Sequence, residues 1–230
     1  MKPLMTESRD NSSLQALGQA SVQIVHDLKN QINGLKLYAT FLRKRSERSE
    51  RPADEVETIN KLITGLDRTA TDLSMIVEFG QPVELNKQPR TDLRKLMEAV
   101  TENLSQSPRM TGALRGPIVL EGQAASLLGD FDTVRLSEAL KSISTSAMKM
   151  LGGRGPDQSL NILLRRTSTA MQPEGVIEWK GFDALEHDPF HSFAGSDGIR
   201  MSLAARVVEA HGGFADRHND ALRVRLPLTS

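Results

Sequence analysis

The stretch His26, Asp27, Leu28, Lys29, Asn30 brings an imidazole, a carboxylate and an amide together at helical spacing. A neutral imidazole is a competent nucleophile toward phosphorus near neutral pH, because its ordinary pKa is about 6.5. On a helix, Asn30 lies four residues beyond His26 and therefore one turn along the same face. Asp27 falls about 100° round the axis, where it flanks the ring. From there it could orient the imidazole or take its proton, and Asn30 could hydrogen-bond a water or a phosphoryl oxygen. A lone surface histidine is usually inert, and Asp27 and Asn30 could each be an ordinary solvated residue. The setting distinguishes His26: it follows Val25, stands off the apolar seam, and should present its ring to solvent. His187, His191 and His218 lie in polar, loop-like segments without partners, and His211, in the sequence HGG, reads as part of a helix end.

The elements that must position this group are legible from apolar spacing. Leu14, Gly18, Ser21, Val25, Leu28, Ile32, Leu35, Ala39 and Leu42 step by fours and threes, which predicts a helix from about Leu14 to Arg45. The polar stretch 43–55 with Pro52 is a turn. A second seam follows through Val56, Ile59, Ile63, Leu66, Ala70, Leu73 and Val77. Two helices joined by a short polar loop make an antiparallel hairpin. One hairpin covers only one side of each seam, so two are expected to pair into a homodimeric four-helix bundle. Gly80 and Pro82 end this region, giving expected domains at 1–82 and 83–230.

After residue 83 the periodicity alternates between helix and strand. Helices are predicted at 91–104, 130–151 and 202–210, the last stopped by Gly212 and Gly213. Strands are predicted at 117–122, 160–164, 175–179 and 222–228. The fold class expected is α+β, with the helical hairpin first and an α/β sandwich after it.

Composition narrows the function classes. The 230 residues carry 29 basic and 29 acidic side chains and no cysteine. A formally neutral chain argues against a general nucleic-acid binder, which needs a basic face to neutralise phosphates. Without cysteine there is no disulfide, thiolate metal site or cysteine nucleophile, and five scattered histidines lack zinc-ligand spacing. No apolar run reaches the roughly 20 residues needed to cross a bilayer, so the expectation is a cytoplasmic protein with no membrane partner and no bound metal.

The sequence HDLKNQINGL (26–35) resembles the phosphoacceptor box of two-component sensor histidine kinases, with Gln31 where that family generally has proline. VELNKQPRTDLRKLMEAV (83–100) looks like the family's linker strand and first helix of the ATP-binding domain. GDFDTVRLSEALKSISTSA (129–147) is similar to the asparagine-box region, MSLAARVVEAHGG (201–213) to the helix after the last glycine box, and ALRVRLPL (221–228) to the closing strand. The resemblance covers nearly the whole chain in the family's order. It implies a sandwich of the histidine-kinase ATPase type, His26 as phosphoacceptor with Asp27 and Asn30 beside it, and a response-regulator receiver domain as partner.

The departures bear on nucleotide. Ser142 and Ser146 stand where the family has two asparagines, the second of which helps hold Mg²⁺ on ATP; a hydroxyl is shorter than an amide and a poorer ligand at that reach. The first glycine box, with its adenine-binding aspartate, is replaced by EWKGFDAL (178–185), which puts Lys180 near the missing carboxylate and Asp183 as a shifted substitute. GSDGIRM (195–201) keeps Gly198 but has Ser196 and Arg200 at the flanking glycine positions, where side chains obstruct close approach of the backbone to phosphate. The expectation is a degenerate ATP-binding domain that takes no cofactor. Mg²⁺ would come with the partner receiver. Three functions follow as alternatives: a histidine phosphotransferase or response-regulator phosphatase, an active histidine kinase with a divergent ATP site, or a non-catalytic dimeric scaffold for response regulators.

Overall fold

The computed structural model describes residues 25, 27–46, 53–106, 116–122, 126–152, 158–168, 172–183, 187–192 and 195–229. His26 and the seam positions Leu14, Gly18 and Ser21 lie outside them. The chain divides into two compact units, Met1–Pro82 and Val83–Ser230.

The first unit is helical. Helix α1 runs over 27–46 and helix α2 over Ala53–Gly80. Asp54 and Glu55 occupy the first turn of α2, where negative charge meets the unpaired N–H groups of the helix start. Lys36 pairs with Asp67, and Arg43 Nη1 donates to Asn60 Oδ1 at 3.4 Å. The partner number falls as the first rises, so the helices are antiparallel. Every predicted α2 seam residue from Val56 to Val77 is half-buried, and Ala39 of α1 is buried. Leu28, Leu35 and Leu42, seven residues apart, are exposed.

The second unit has a five-stranded sheet in the order β2-β4-β5-β7-β6: β2 Ile118–Gly122, β4 Leu160–Ser168, β5 Pro173–Lys180, β6 Phe214–His218 and β7 Ala221–Pro227. Strand β2 runs parallel to β4 and the other neighbours are antiparallel. A two-stranded ribbon pairs β1 (Gln88–Asp92) with β3 (Leu128–Phe131). Helices α3 (Leu93–Ser105), α4 (Thr133–Gly152) and α5 (Gly195–Ala210) complete the layer. Alternation along the strands sends Leu160, Ile162 and Leu164 of β4, Ile177 and Trp179 of β5, and Leu222, Val224 and Leu226 of β7 into one core. Leu93, Met97, Leu136, Leu140, Ile143 and Met201 enter the same core from the helices. This is the α+β architecture expected, a helical hairpin followed by an α/β sandwich.

Two helix starts differ from the sequence reading. Asp130 and Phe131 belong to β3, and α4 begins only after Asp132, whose Oδ1 accepts the N–H groups of Val134 and Arg135. Helix α5 begins earlier than Ser202, at Gly195. It ends as expected: Gly213 N–H bonds back to Val208 O, Gly212 has φ +81°, and a Cβ on Gly213 would lie 2.3 Å from Arg225 O. Only glycine fits there.

Candidate functional site

Two groups of residues carry the expected chemistry, one in each unit. In the helical unit, Asp27 and Asn30 lie on α1 and are both solvent-exposed, while Ile32, half a turn further on, is half-buried. A helix with an apolar stripe inward leaves Asp27 and Asn30 on one accessible surface. Lys29 is not part of that surface: it is half-buried.

In the α/β unit, helices α4 and α5 pack together and hold the residues read against the nucleotide motifs. Ser142 is half-buried and Ser146 is buried on α4; Arg200 is exposed on α5. Gly198 has a packing reason of its own, since a Cβ there would lie 2.9 Å from Ser192 O. The same carbonyl accepts the Ser202 hydroxyl at 2.9 Å. Lys149 in the last turn of α4 pairs with Asp197 in the first turn of α5 at 2.7 Å.

Lys180 is not brought to this place. Strand alternation turns it to the face of the sheet opposite the helices, where its Nζ lies 3.3 Å from Glu178 Oε2. Arg165 Nη2 donates to the other oxygen of Glu178 at 3.1 Å. Burial alone would raise the Glu178 pKa, but Arg165 and Lys180 outweigh it and hold the carboxyl below its ordinary range. The residue that points inward at this end of β5 is Trp179, fully buried, with its indole N–H donated to Ser144 Oγ at 3.0 Å. Phe182 and Phe190 are buried in the same core. Asp183 is exposed, and its carbonyl oxygen accepts from Arg217 Nη2 at 3.2 Å. Among the described residues no group of three or more His, Asp or Glu is placed to hold a metal ion.

No protein-family profile matches the chain. Two curated proteins align along nearly all of it: the sensor histidine kinases ZraS of Klebsiella oxytoca and of Escherichia coli (strain K12), each 22% identical, over 94% and 91% of this chain. Along its length the chain is thus similar to sensor histidine kinases. It spans about half the length of these curated relatives, 46% and 44%. Solved histidine kinases share the fold. ThkA, solved in complex with the response regulator TrrA, superposes with a TM-score of 0.62 at 18% identity, over 97% of this chain and 65% of its own. ShkA, solved with AMPPNP, gives 0.61 at 17% over 90% and 45%. AdeS of Acinetobacter baumannii gives 0.54 at 15% over 85% and 96%.

Within this histidine kinase fold, the sequence reading missed two buried polar pairs. One is Trp179 with Ser144; the signal was a lone tryptophan in a strand facing a serine-rich helix. The other joins His211 to Asp132: the Asp132 N–H donates to His211 Nε2 at 3.0 Å, and His211 Nδ1 donates to Val207 O at 2.7 Å. His211 was legible as a helix-end residue, but no local pattern links it to a turn 79 residues away. No described helix is long and apolar enough to cross a membrane.

Proposed function

We propose that the protein exchanges a phosphoryl group between His26 and the aspartate of a response-regulator receiver domain, and promotes hydrolysis of that aspartyl phosphate, without using ATP itself. The observation that carries the reading is the HDLKN sequence on a family hairpin, with Asp27 and Asn30 exposed on α1. The imidazole lone pair attacks phosphorus, the P–O bond to the receiver carboxylate breaks, and the carboxylate leaves with the bonding pair. Asp27 orients the ring or accepts its proton, and Asn30 holds a water or a phosphoryl oxygen. Positioning and charge neutralisation supply most of the catalysis in such a step. A receiver supplies its own aspartate and Mg²⁺, so this chain need only present the ring. That ThkA was solved in complex with a response regulator supports the choice of partner.

The dimer belongs to the same reading. Leu28, Leu35 and Leu42 form an exposed apolar stripe along α1, which a second hairpin would cover in a four-helix bundle. The degenerate nucleotide site rests on Ser142, Ser146, Ser196 and Arg200, and on Trp179 filling the inward position of β5.

The test is incubation with phosphorylated receivers, comparing the unmodified chain with His26→Gln and Asn30→Ala. Acid-labile phosphate should form on the unmodified chain and be absent from His26→Gln. Asn30→Ala should still accept phosphate yet slow receiver hydrolysis. Phosphate on the chain from Mg·ATP alone would establish a working kinase instead. Equal receiver dephosphorylation by the unmodified chain and His26→Gln, with no phosphate on either, would leave a docking scaffold.

A further inference from the structure

Asp132 joins three parts of the α/β unit that are distant in sequence. Its Oδ2 accepts the Asn86 N–H at 2.8 Å, and its Oδ1 accepts those of Val134 and Arg135 at 3.1 and 3.0 Å. Its own N–H donates to His211 Nε2 at 3.0 Å. The partners fix the histidine tautomer. A backbone carbonyl only accepts, so the proton sits on Nδ1, facing Val207 O at 2.7 Å; a backbone N–H only donates, so Nε2 offers its lone pair. The ring is 2% exposed and lies 6.0 Å, centroid to centroid, from the buried ring of Phe131.

We propose that Asp132 and His211 form a proton-released latch on the segment leading from α2 into the α/β unit. A proton on Nε2 turns an acceptor into a donor that faces the Asp132 N–H. Two relaxations are open. The Asp132 peptide can withdraw and carry its side chain with it, or the imidazolium can swing onto the Asp132 carboxylate. Either way Oδ2 leaves Asn86 without its acceptor. The segment between α2 and β1 then loses its backbone anchor at Asn86. The charged groups facing the ring are Asp132 before α4, which favours the imidazolium, and Lys87 on the connecting segment, which opposes it. Burial is the largest influence and holds the histidine below its ordinary pKa, so the latch is closed at neutral pH and opens in acid.

This inference does not depend on phosphoryl transfer, and its test needs none. Backbone hydrogen exchange at Asn86 would be followed on the full chain from about pH 7.5 to about pH 3, corrected for intrinsic exchange, beside the ¹⁵N shifts of the His211 ring. Protection at Asn86 should fall on the order of tenfold with the same midpoint as the ring. In His211→Gln, whose amide oxygen can accept from Asp132 N–H but never takes a proton, the step should vanish. If that variant does not fold, the coincidence of the two midpoints in the unmodified chain decides alone. Protection that stays constant through the ring titration, or that falls only in the carboxylate range below about pH 4, overturns the latch.

Discussion

Leu140, Trp179 and Leu222 of the α/β unit are wholly inaccessible, whereas Leu28, Leu35 and Leu42 on α1 are 43%, 53% and 55% exposed. The same kinds of side chain meet two different fates in one chain. The sheet buries one face completely under three helices, so its core is finished within a single copy. The hairpin buries only the strip where α1 meets α2, and each helix keeps an apolar flank in water. Apolar area left exposed forgoes about 25 cal/mol per Å², which is the driving force a second hairpin would recover. The contrast also separates fold from chemistry. The residues read against the nucleotide motifs, Ser142, Ser146 and Arg200, fall in the unit whose core is complete.

The largest effect should come from breaking the finished core. Trp179→Ala removes the biggest buried side chain and strands the Ser144 hydroxyl, at a cost of about 3–5 kcal/mol. Calorimetry should show the α/β transition move down or disappear, while helical circular dichroism from the hairpin persists. A single transition that shifts as a whole would show that the two units do not unfold independently.

Next comes the unfinished face. Leu35→Glu touches an exposed position, so the isolated chain should change by less than about 0.5 kcal/mol. If a second copy covers the stripe, the same substitution buries a charge, and association should weaken by on the order of 2 kcal/mol, or about thirtyfold. Sedimentation of both forms over a range of concentrations measures this directly. Equal association by the two would remove the stripe from the interface.

Periodicity made the helices and most of the sheet legible, because Leu160, Ile162, Leu164 and Leu222, Val224, Leu226 alternate without ambiguity. It failed where long-range pairing decides. Strand β1 carries Gln88, Pro89 and Arg90, with a positive φ at Arg90 and a register shift, and it forms only because β3 lies alongside. Strand β6 reads FADRH, with one buried side chain, Ala215, and depends on the hairpin turn at Asn219. Asp130 resembled a helix start, but Asp132 two residues later makes the capping bonds. At the candidate site, Lys180 was judged by position in a motif; the period of two sends it outward and Trp179 inward. His26 was legible from its neighbours in sequence, and it lies outside the described residues.

Acid should act on the α/β unit in two steps and spare the hairpin the first of them. His211 has a folded pKa held down by burial, so its contribution is complete above about pH 6.5 and is lost as the pH falls toward the folded value. For Asp92, Asp132 and Glu178 burial would raise the pKa, but hydrogen bonds and nearby cations outweigh it and lower the folded value. Their contribution is therefore present above about pH 4 and is lost below it. Melting temperatures measured across this range should fall first near the histidine region and again near the carboxylate region. His211→Gln should erase only the first step; its persistence would assign it to another group.

The smallest effect is expected inside the hairpin, where Lys36 of α1 meets Asp67 of α2. The pair joins the two helices in the antiparallel register, and geometry alone would suggest a fastening. Both side chains are about half exposed, 43% and 50%, so water screens the attraction and ordering two mobile side chains offsets much of what remains. Exposed pairs of this kind contribute about 0–1 kcal/mol. Lys36→Met should thus shift the hairpin's unfolding by no more than about 0.5 kcal/mol, and adding salt should change it little further. Chemical denaturation of Lys36→Met, Asp67→Asn and the double variant isolates the coupling between them. A coupling above about 1.5 kcal/mol would mean that the pair is shielded from water in the assembled protein. That outcome would place the covering surface over this side of the hairpin, and the exposed stripe at Leu28, Leu35 and Leu42 would no longer be the first choice for the contact.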